Sequence, residues 1–370
     1  MKQSGGRHFL CGYGNAGNHG NKKNQALHSG SVLAGYCGAN GCRNSWGRCV
    51  GDCVDGAVSI CRRRCAVSAL GAAGGVAVDS LVGEPPLAWH PVAKFGSAMV
   101  AIERSTYRNS RAAGVVHLTI GAGAALAVGL GARRLLGPAL ATASATALAS
   151  AGRMLDREAL GVAAHLAAGD LGAAREALCA LAGRTPDDLD ESELARAVIE
   201  SVAENSVDAV VSSILWGVVG GAPAVLVHRA TNTLDAMVGH HNDRYEQFGW
   251  ASARLDDLLN FLPARLAASA VAACRPRAAK QIVETIRCDA HQHPSPNGGV
   301  IEAAYAAALG VQLGGINRYG DGVEDRGTLG VGRAPAVADI RAAVRLRRQT
   351  TMLLAGATGL MGAVRLAQRR

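Results

Sequence analysis

Long stretches without a formal charge constrain this chain more than any other feature. Ala113 to Ala132 has only His117 as an ionisable group, Leu135 to Gly152 and Ala209 to Val227 have none, and Leu258 to Cys274 carries Arg265 alone. About 20 helical residues cross a hydrocarbon layer of ~30 Å. Lipid offers no water to unpaired backbone groups, so runs of this length that span must be helical. Ala66 to Val82 and Thr351 to Val364 are shorter candidates. The same runs also suit buried helices of a soluble all-α protein, being rich in Ala and Gly and poor in Leu and Phe. Small residues at helical spacing favour the membrane: Gly71 with Gly75, Gly217 with Gly221, and Gly356, Gly359 and Gly362 allow close helix approach. The reading is an all-α polytopic membrane protein with four or five transmembrane helices and amphipathic polar segments. Arginines flank several runs on both sides, so the positive-inside rule leaves the orientation open.

Charge first suggests nucleic acid, because the formal net charge is +9. Position removes that reading. Met1 to Cys65 holds nine Lys/Arg against Asp52 and Asp55, whereas the remainder holds 29 against 27 and lacks a basic face studded with aromatics. Seven of the ten cysteines also fall in residues 1–65. Cys49/Cys53 and Cys61/Cys65 have a spacing that zinc can use, but no hydrophobic pattern encloses them and seven is an odd number. Gly12 to Gly17 matches Gly-x-Gly-x-x-Gly by chance, since no helix opens after it. Residues 1–65 therefore read as a basic, Cys- and Gly-rich extension, disordered or a mis-assigned start. Residues 66–370 read as the membrane domain.

Polar segments between the runs carry helical punctuation. Asp190 followed by Glu193 forms a capping box, and Leu194, Ala197, Val198, Ser201 and Val202 then line one face. Residues 153–184 read as an amphipathic helix or pair broken at Gly169-Asp170. No strand pattern is visible.

Glu200, Glu204 and Asp208 recur every four residues, stacking three like charges on one stripe. Such a stripe is either a solvated face or the wall of a site balanced by Mg²⁺ or an amine. Asn205 adjoins it. Arg229, Asn232 and Asp235 follow the Ala209 run, and Arg244 offers a planar fork for phosphate or carboxylate. The pair His240-His241 reads as loop, lacking partners at ligand spacing. Asp256-Asp257 suits Mg²⁺ held against phosphate, with an Arg254–Asp257 helix pair as the structural alternative. Pro263 and Arg265 interrupt the next run, and such residues at membrane depth usually line a cavity. In Cys288 to Gly299, two prolines and two glycines impose a rigid loop bearing Asp289, His293, Ser295 and Asn297 ahead of a helix near Val300.

Five motifs, in this order, carry a resemblance: Asp79-Ser-Leu-Val-Gly-Glu-Pro-Pro-Leu-Ala-Trp-His-Pro-Val92, Glu200-Ser-Val-Ala-Glu-Asn205, Asn232-Thr-Leu-Asp-Ala-Met-Val-Gly239, Ala253-Arg-Leu-Asp-Asp257 with Pro263-Ala-Arg265, and His293-Pro-Ser-Pro-Asn297. The segment from about Ala66 to Arg370 resembles the CobD/CbiB cobalamin-biosynthesis family, the adenosylcobinamide-phosphate synthases. It departs locally at Ser206, at Ser212-Ser213 and at Arg326-Gly327.

The resemblance implies a multi-pass protein of the cell membrane. It would join aminopropanol, or its phosphate, to the propionate of adenosylcobyric acid through an amide. A free carboxylate is a poor electrophile, so ATP with Mg²⁺ is the expected activating pair, although no Gly-x-x-x-x-Gly-Lys-[Ser/Thr] occurs. Expected roles are Glu204, Asp256 and Asp257 for the metal, and Asp208, His293 and Glu200 for catalysis. Arg229, Asn232, Asp235, Arg244, Arg254, Asn205, Ser295, Asn297 and His90 would bind substrate. A transporter, or a membrane scaffold for other cobalamin-pathway enzymes, is the alternative; the polar motifs cluster in residues 200–297 rather than repeating between halves.

Overall fold

A computed structural model describes residues 65–85, 89–179, 181, 189–240, 242–319 and 322–368. The expectations for residues 1–64 and for His241 lie outside the described residues. The helices are α1 (Cys65–Val82), α2 (Pro91–Thr106), α3 (Arg111–Ser150), α4 (Gly152–Ala167), α5 (Leu171–Leu178), α6 (Glu191–Asn205), α7 (Ser212–Gly220), α8 (Ala222–Val238), α9 (Trp250–Cys274), α10 (Ala279–Asp289), α11 (Gly298–Leu309) and α12 (Val337–Ala367). This is an all-α polytopic architecture. Among the described residues, five helical stretches are long and apolar enough to cross a membrane: Cys65–Val82, Arg111–Ala167, Glu191–Gly220, Trp250–Cys274 and Val337–Ala367.

Local chemistry sets the breaks. The capping box is present: Glu193 N donates to Asp190 Oδ1 at 2.8 Å and Asp190 N to Glu193 Oε2 at 2.9 Å. The face from Leu194 to Val202 is buried. Gly169, with φ 74°, separates α4 from α5 at the expected place.

The runs before and after Arg133-Arg134 stay two helical segments, but within α3 the break falls at Gly137 (φ 76°, ψ 166°) rather than at the arginines, because Pro138 has no N–H to continue the ladder. Two expectations change. The uncharged run Ala209 to Val227 is divided between two helices. Gly221 (φ 68°) and Pro223 end α7 and start α8, so the spanning candidate shifts upstream to Glu191–Gly220. An antiparallel hairpin, β1 (Leu313–Tyr319) with β2 (Gly322–Leu329), appears where no strand was expected. Its glycines and a bulge between Gly314 and Ile316 hide the period-two alternation that marks strands.

Small residues act where the sequence suggested. A Cβ on Gly71 would lie 2.6 Å from Ala139 O and 2.9 Å from Thr142 Cβ, so α1 meets α3 backbone to backbone. Gly362 brings α12 as close to Ala66 on α1, whereas Gly356 faces open space. The largest apolar core gathers α4, α5, α6, α9, α11 and the first half of α12. Beside it Arg347 grips Asp156 with two hydrogen bonds of 2.6 Å, joining α12 to α4 through a buried bidentate pair.

Candidate functional site

Between α6 and α7 the backbone widens into a π-helical turn, Ser206–Val211. Single π turns commonly occur at functional sites, because the wider turn re-aims side chains. Glu204 and Asp208 line a cavity of about 340 Å³. Glu200, one turn earlier, does not line it: Glu200 is buried and accepts a hydrogen bond from Gly314 N at 2.8 Å on the hairpin. The π turn falls between Glu204 and Asp208, and the first member of the expected stripe, Glu200, supports the hairpin.

The opposite wall comes from α8 and α9. Asp235 and Gly239 end α8; a Cβ at Gly239 would overlap the Asp235 carboxylate. From α9 come Asp256, Asp257 and Asn260. Asn260 Nδ2 donates to Asp256 Oδ2 at 3.0 Å, while its Oδ1 accepts from Ser212 Oγ at 2.7 Å and lies 2.9 Å from His228 Nε2. Ser212, a departure from the family pattern, therefore holds the amide that orients Asp256. Asp256 Oδ1 is buried without a hydrogen-bond partner among the described residues. Asp208 Oδ2 accepts from Asn232 Nδ2 at 3.3 Å, and Asn232 Oδ1 accepts from Arg229 Nη1 at 3.4 Å.

The loop before α11 closes the third side. Ser295 Oγ accepts the N–H groups of Asn297 and Gly298 at 3.3 and 3.1 Å, and Asn297 Nδ2 donates to Asp257 O at 2.8 Å. Arg265 clamps this loop by donating to Asn297 Oδ1 at 2.7 Å and Pro296 O at 3.2 Å. Arg265 is thus a brace between α9 and the loop. Gly298 is required by packing, since its Cβ would lie 2.8 Å from the His293 ring and 3.3 Å from Glu204 Oε1.

His293 meets two glutamates. Its Nε2 lies 3.4 Å from Glu302 Oε1, and Arg326 Nη1 lies 3.1 Å from Glu204 Oε1 and 3.4 Å from Glu302 Oε1. Burial, with the charges of Glu200 and Glu204, pushes the Glu302 carboxyl up to about 8. Burial opposes protonation of His293, but its hydrogen bond to Glu302 and that carboxylate's charge outweigh it and raise its pKa. The pair therefore retains a proton near neutrality.

Of the expected site residues, Glu204, Asp208, Asp235, Asp256, Asp257, His293, Ser295 and Asn297 line this one cavity, and Asn232 supports it. The expected metal set is divided: Glu204 groups with His293 and Glu302 within 4.8 Å, apart from Asp256 and Asp257. Other residues lie elsewhere. Arg229 and Asn205 line a smaller cavity, and Arg254 is exposed on α9. Arg244 is exposed, donates to Glu103 at 2.9 Å and stacks on Tyr107. His90 caps α2, its Nδ1 accepting from Val92 N at 3.3 Å, with Glu84 3.6 Å from Nε2. Sequence reasoning missed Asn260, Glu302 and Arg326. Glu302 had a signal, being the one charge within the apolar helix α11. Arg326 was marked only by the departure at Arg326-Gly327, and its reach to the glutamates depends on the hairpin.

The profile of the CobD/Cbib protein family matches residues 72–347. A protein of Mycobacterium tuberculosis strain H37Rv named "Cobalamin biosynthesis protein CobD" is 46% identical over 308 residues, covering 82% of this chain and 96% of that protein. Proteins of the same name from Chromobacterium violaceum and Geobacter metallireducens are 43% and 42% identical, over 73% and 66% of this chain and 88% and 80% of their own lengths. No solved structure matches the chain.

Proposed function

The chain belongs to the CobD/Cbib protein family, and from that premise we propose that it serves cobalamin biosynthesis as an amide-forming synthase of the cell membrane. It joins aminopropanol, or its phosphate, to the propionate of adenosylcobyric acid. The observation that carries this reading is the convergence of Glu204, Asp208, Asp235, Asp256 and Asp257 on one cavity that also presents Arg326. A carboxylate-rich cavity concentrates an ammonium-bearing substrate and repels a bare phosphate or propionate. An anionic group enters such a site against Arg326 or together with a cation.

At about 340 Å³ the cavity is at the lower end of small-molecule sites. It accommodates an amino alcohol phosphate and a propionate arm, leaving the corrin ring at its mouth. The donors fit Mg²⁺: Asp256 Oδ1 is a buried oxygen without a partner among the described residues, and Asp257 adds a second hard oxygen ligand. ATP with Mg²⁺ supplies the activation that a free carboxylate lacks. The chain's own residues then orient the amine and take its proton. Asp235 and Asp208 attract the ammonium group, and Asp208, steadied by Asn232, accepts the proton that frees the nitrogen lone pair. The Arg265-braced loop fixes Ser295 and Asn297 on the remaining side, so the substrate enters a preformed wall.

The test is a product-mass assay with purified protein, ATP, Mg²⁺, adenosylcobyric acid and aminopropanol phosphate. An amide product of adenosylcobinamide phosphate mass is expected. Flux of substrate across proteoliposomes without product would replace the synthase reading with transport, and neither flux nor product would leave a scaffold.

A further inference from the structure

We propose that Glu204, His293 and Glu302 bind a divalent first-row transition-metal ion at a site separate from the Asp256–Asp257 wall. One donor atom from each lies within 4.8 Å of the others, and the three come from α6, the loop after α10 and α11. Donors about 2.0–2.2 Å from one ion stand roughly 3–4 Å apart, so small carboxylate rotations complete the cage.

Burial supplies the second argument. Glu302 is wholly inaccessible within the apolar helix α11, and its Oε2 has no hydrogen-bond partner among the described residues. An unsatisfied carboxylate oxygen at such depth is unfavourable unless a cation or proton compensates it. His293 is also buried; its Nδ1 accepts from Ser295 N at 3.0 Å and lies 3.2 Å from Ser295 O, so without an ion the ring proton sits on Nε2, 3.4 Å from Glu302 Oε1. An ion at Nε2 displaces that proton and requires the ring's proton on Nδ1, where Ser295 O is placed to accept it. One imidazole with two carboxylates suits Zn²⁺, Fe²⁺, Mn²⁺ or Co²⁺ better than Mg²⁺, which prefers oxygen alone.

Arg326 is the built-in competitor. Its guanidinium contacts the Oε1 atoms of Glu204 and Glu302 and leaves Glu302 Oε2 open. Binding of an ion weakens Arg326's hold on the glutamates and directs its charge into the cavity, where an anionic substrate group would meet it. The hairpin that carries Arg326 is thereby linked to metal occupancy.

The inference does not depend on the synthase reading, because it is tested without turnover. Full-length protein in detergent, stripped with chelator, is titrated with Co²⁺ and followed by visible absorption. A thiolate charge-transfer band identifies Co²⁺ held by cysteine, separating it from ion on nitrogen and oxygen. The expected result is one equivalent of nitrogen- and oxygen-bound Co²⁺, weakened at least 10-fold by His293→Ala and by Glu302→Gln, and unaffected by Asp257→Asn. If His293→Ala and Glu302→Gln elute as unfolded aggregate, Arg326→Gln decides, because removing the competitor must tighten Co²⁺ binding at least several-fold. Failure of the parental protein to show d–d absorption of Co²⁺ free of the thiolate band, equal binding in the His293 variant, or unchanged or weaker binding in Arg326→Gln overturns the inference.

Discussion

Asn260 is the residue on which the acidic wall rests, and replacing it by Leu isolates that role. Its amide serves Asp256 Oδ2 at 3.0 Å, Ser212 Oγ at 2.7 Å and His228 Nε2 at 2.9 Å, and all four residues are buried. Leu fills similar volume but strands three polar groups, each costing about 1–3 kcal/mol when left buried and unpaired, so about 3–9 kcal/mol of stability should be lost. Ser212→Ala alone should cost only about 1 kcal/mol, because Asn260 keeps its other partners. In the Asn260→Leu background the same serine change should be neutral or stabilising, since it removes an orphaned hydroxyl. The cycle is read by SDS titration of protein in non-ionic detergent micelles, with a coupling of about 1 kcal/mol expected. Equal cost of Ser212→Ala in both backgrounds would refute the claim that the Ser212–Asn260–Asp256 chain acts as one unit.

Asp257→Asn should raise the Mg²⁺ concentration needed for amide formation by at least about 10-fold, measured as product mass against added metal. Arg265→Ala should slow product formation by about 10–100-fold by loosening the loop that carries Ser295 and Asn297, with Arg265→Lys restoring little because lysine lacks the fork. Glu84 gives a pH test: burial, then the charge of Asp79, pushes its carboxyl up from an ordinary 4.5 to about 7. A raised carboxyl contributes stability that is present below the unfolded value and lost as pH rises through the folded one. Glu84→Gln should therefore stabilise the protein relative to the parent at pH 8 and lose that advantage near pH 4.5, as read by SDS midpoints.

Much of the candidate site was visible in the chain because polar groups beside apolar runs are expensive. Asp208, Asp235, Asp256, Asp257 and His293 stood out on that ground, and all line the cavity. Glu200 lies one regular turn before Glu204 on α6 but supports the hairpin, because its carboxylate is taken by Gly314 N; the π turn at Ser206 alters only the step from Glu204 to Asp208. Asn260 was hidden in an apolar run where an amide looks incidental. Arg244 and His90 looked like anion and substrate ligands, but local partners engage both, Glu103 with Tyr107 for one and the start of α2 for the other.

What followed from the residues alone was local and periodic: helices from apolar runs, the Asp190 cap, the break at Gly169, and the glycines that let α1 meet α3. These depend on neighbours within a few positions along one helix, which the order of residues contains. Tertiary structure alone settled which carboxylates share a cavity and which support a strand, and that a guanidinium from a glycine-rich hairpin reaches Glu204 and Glu302. Those contacts join residues more than a hundred positions apart, 326 to 204 and 314 to 200. Their partners are selected by the packing of whole helices, a property that no local pattern of side chains records.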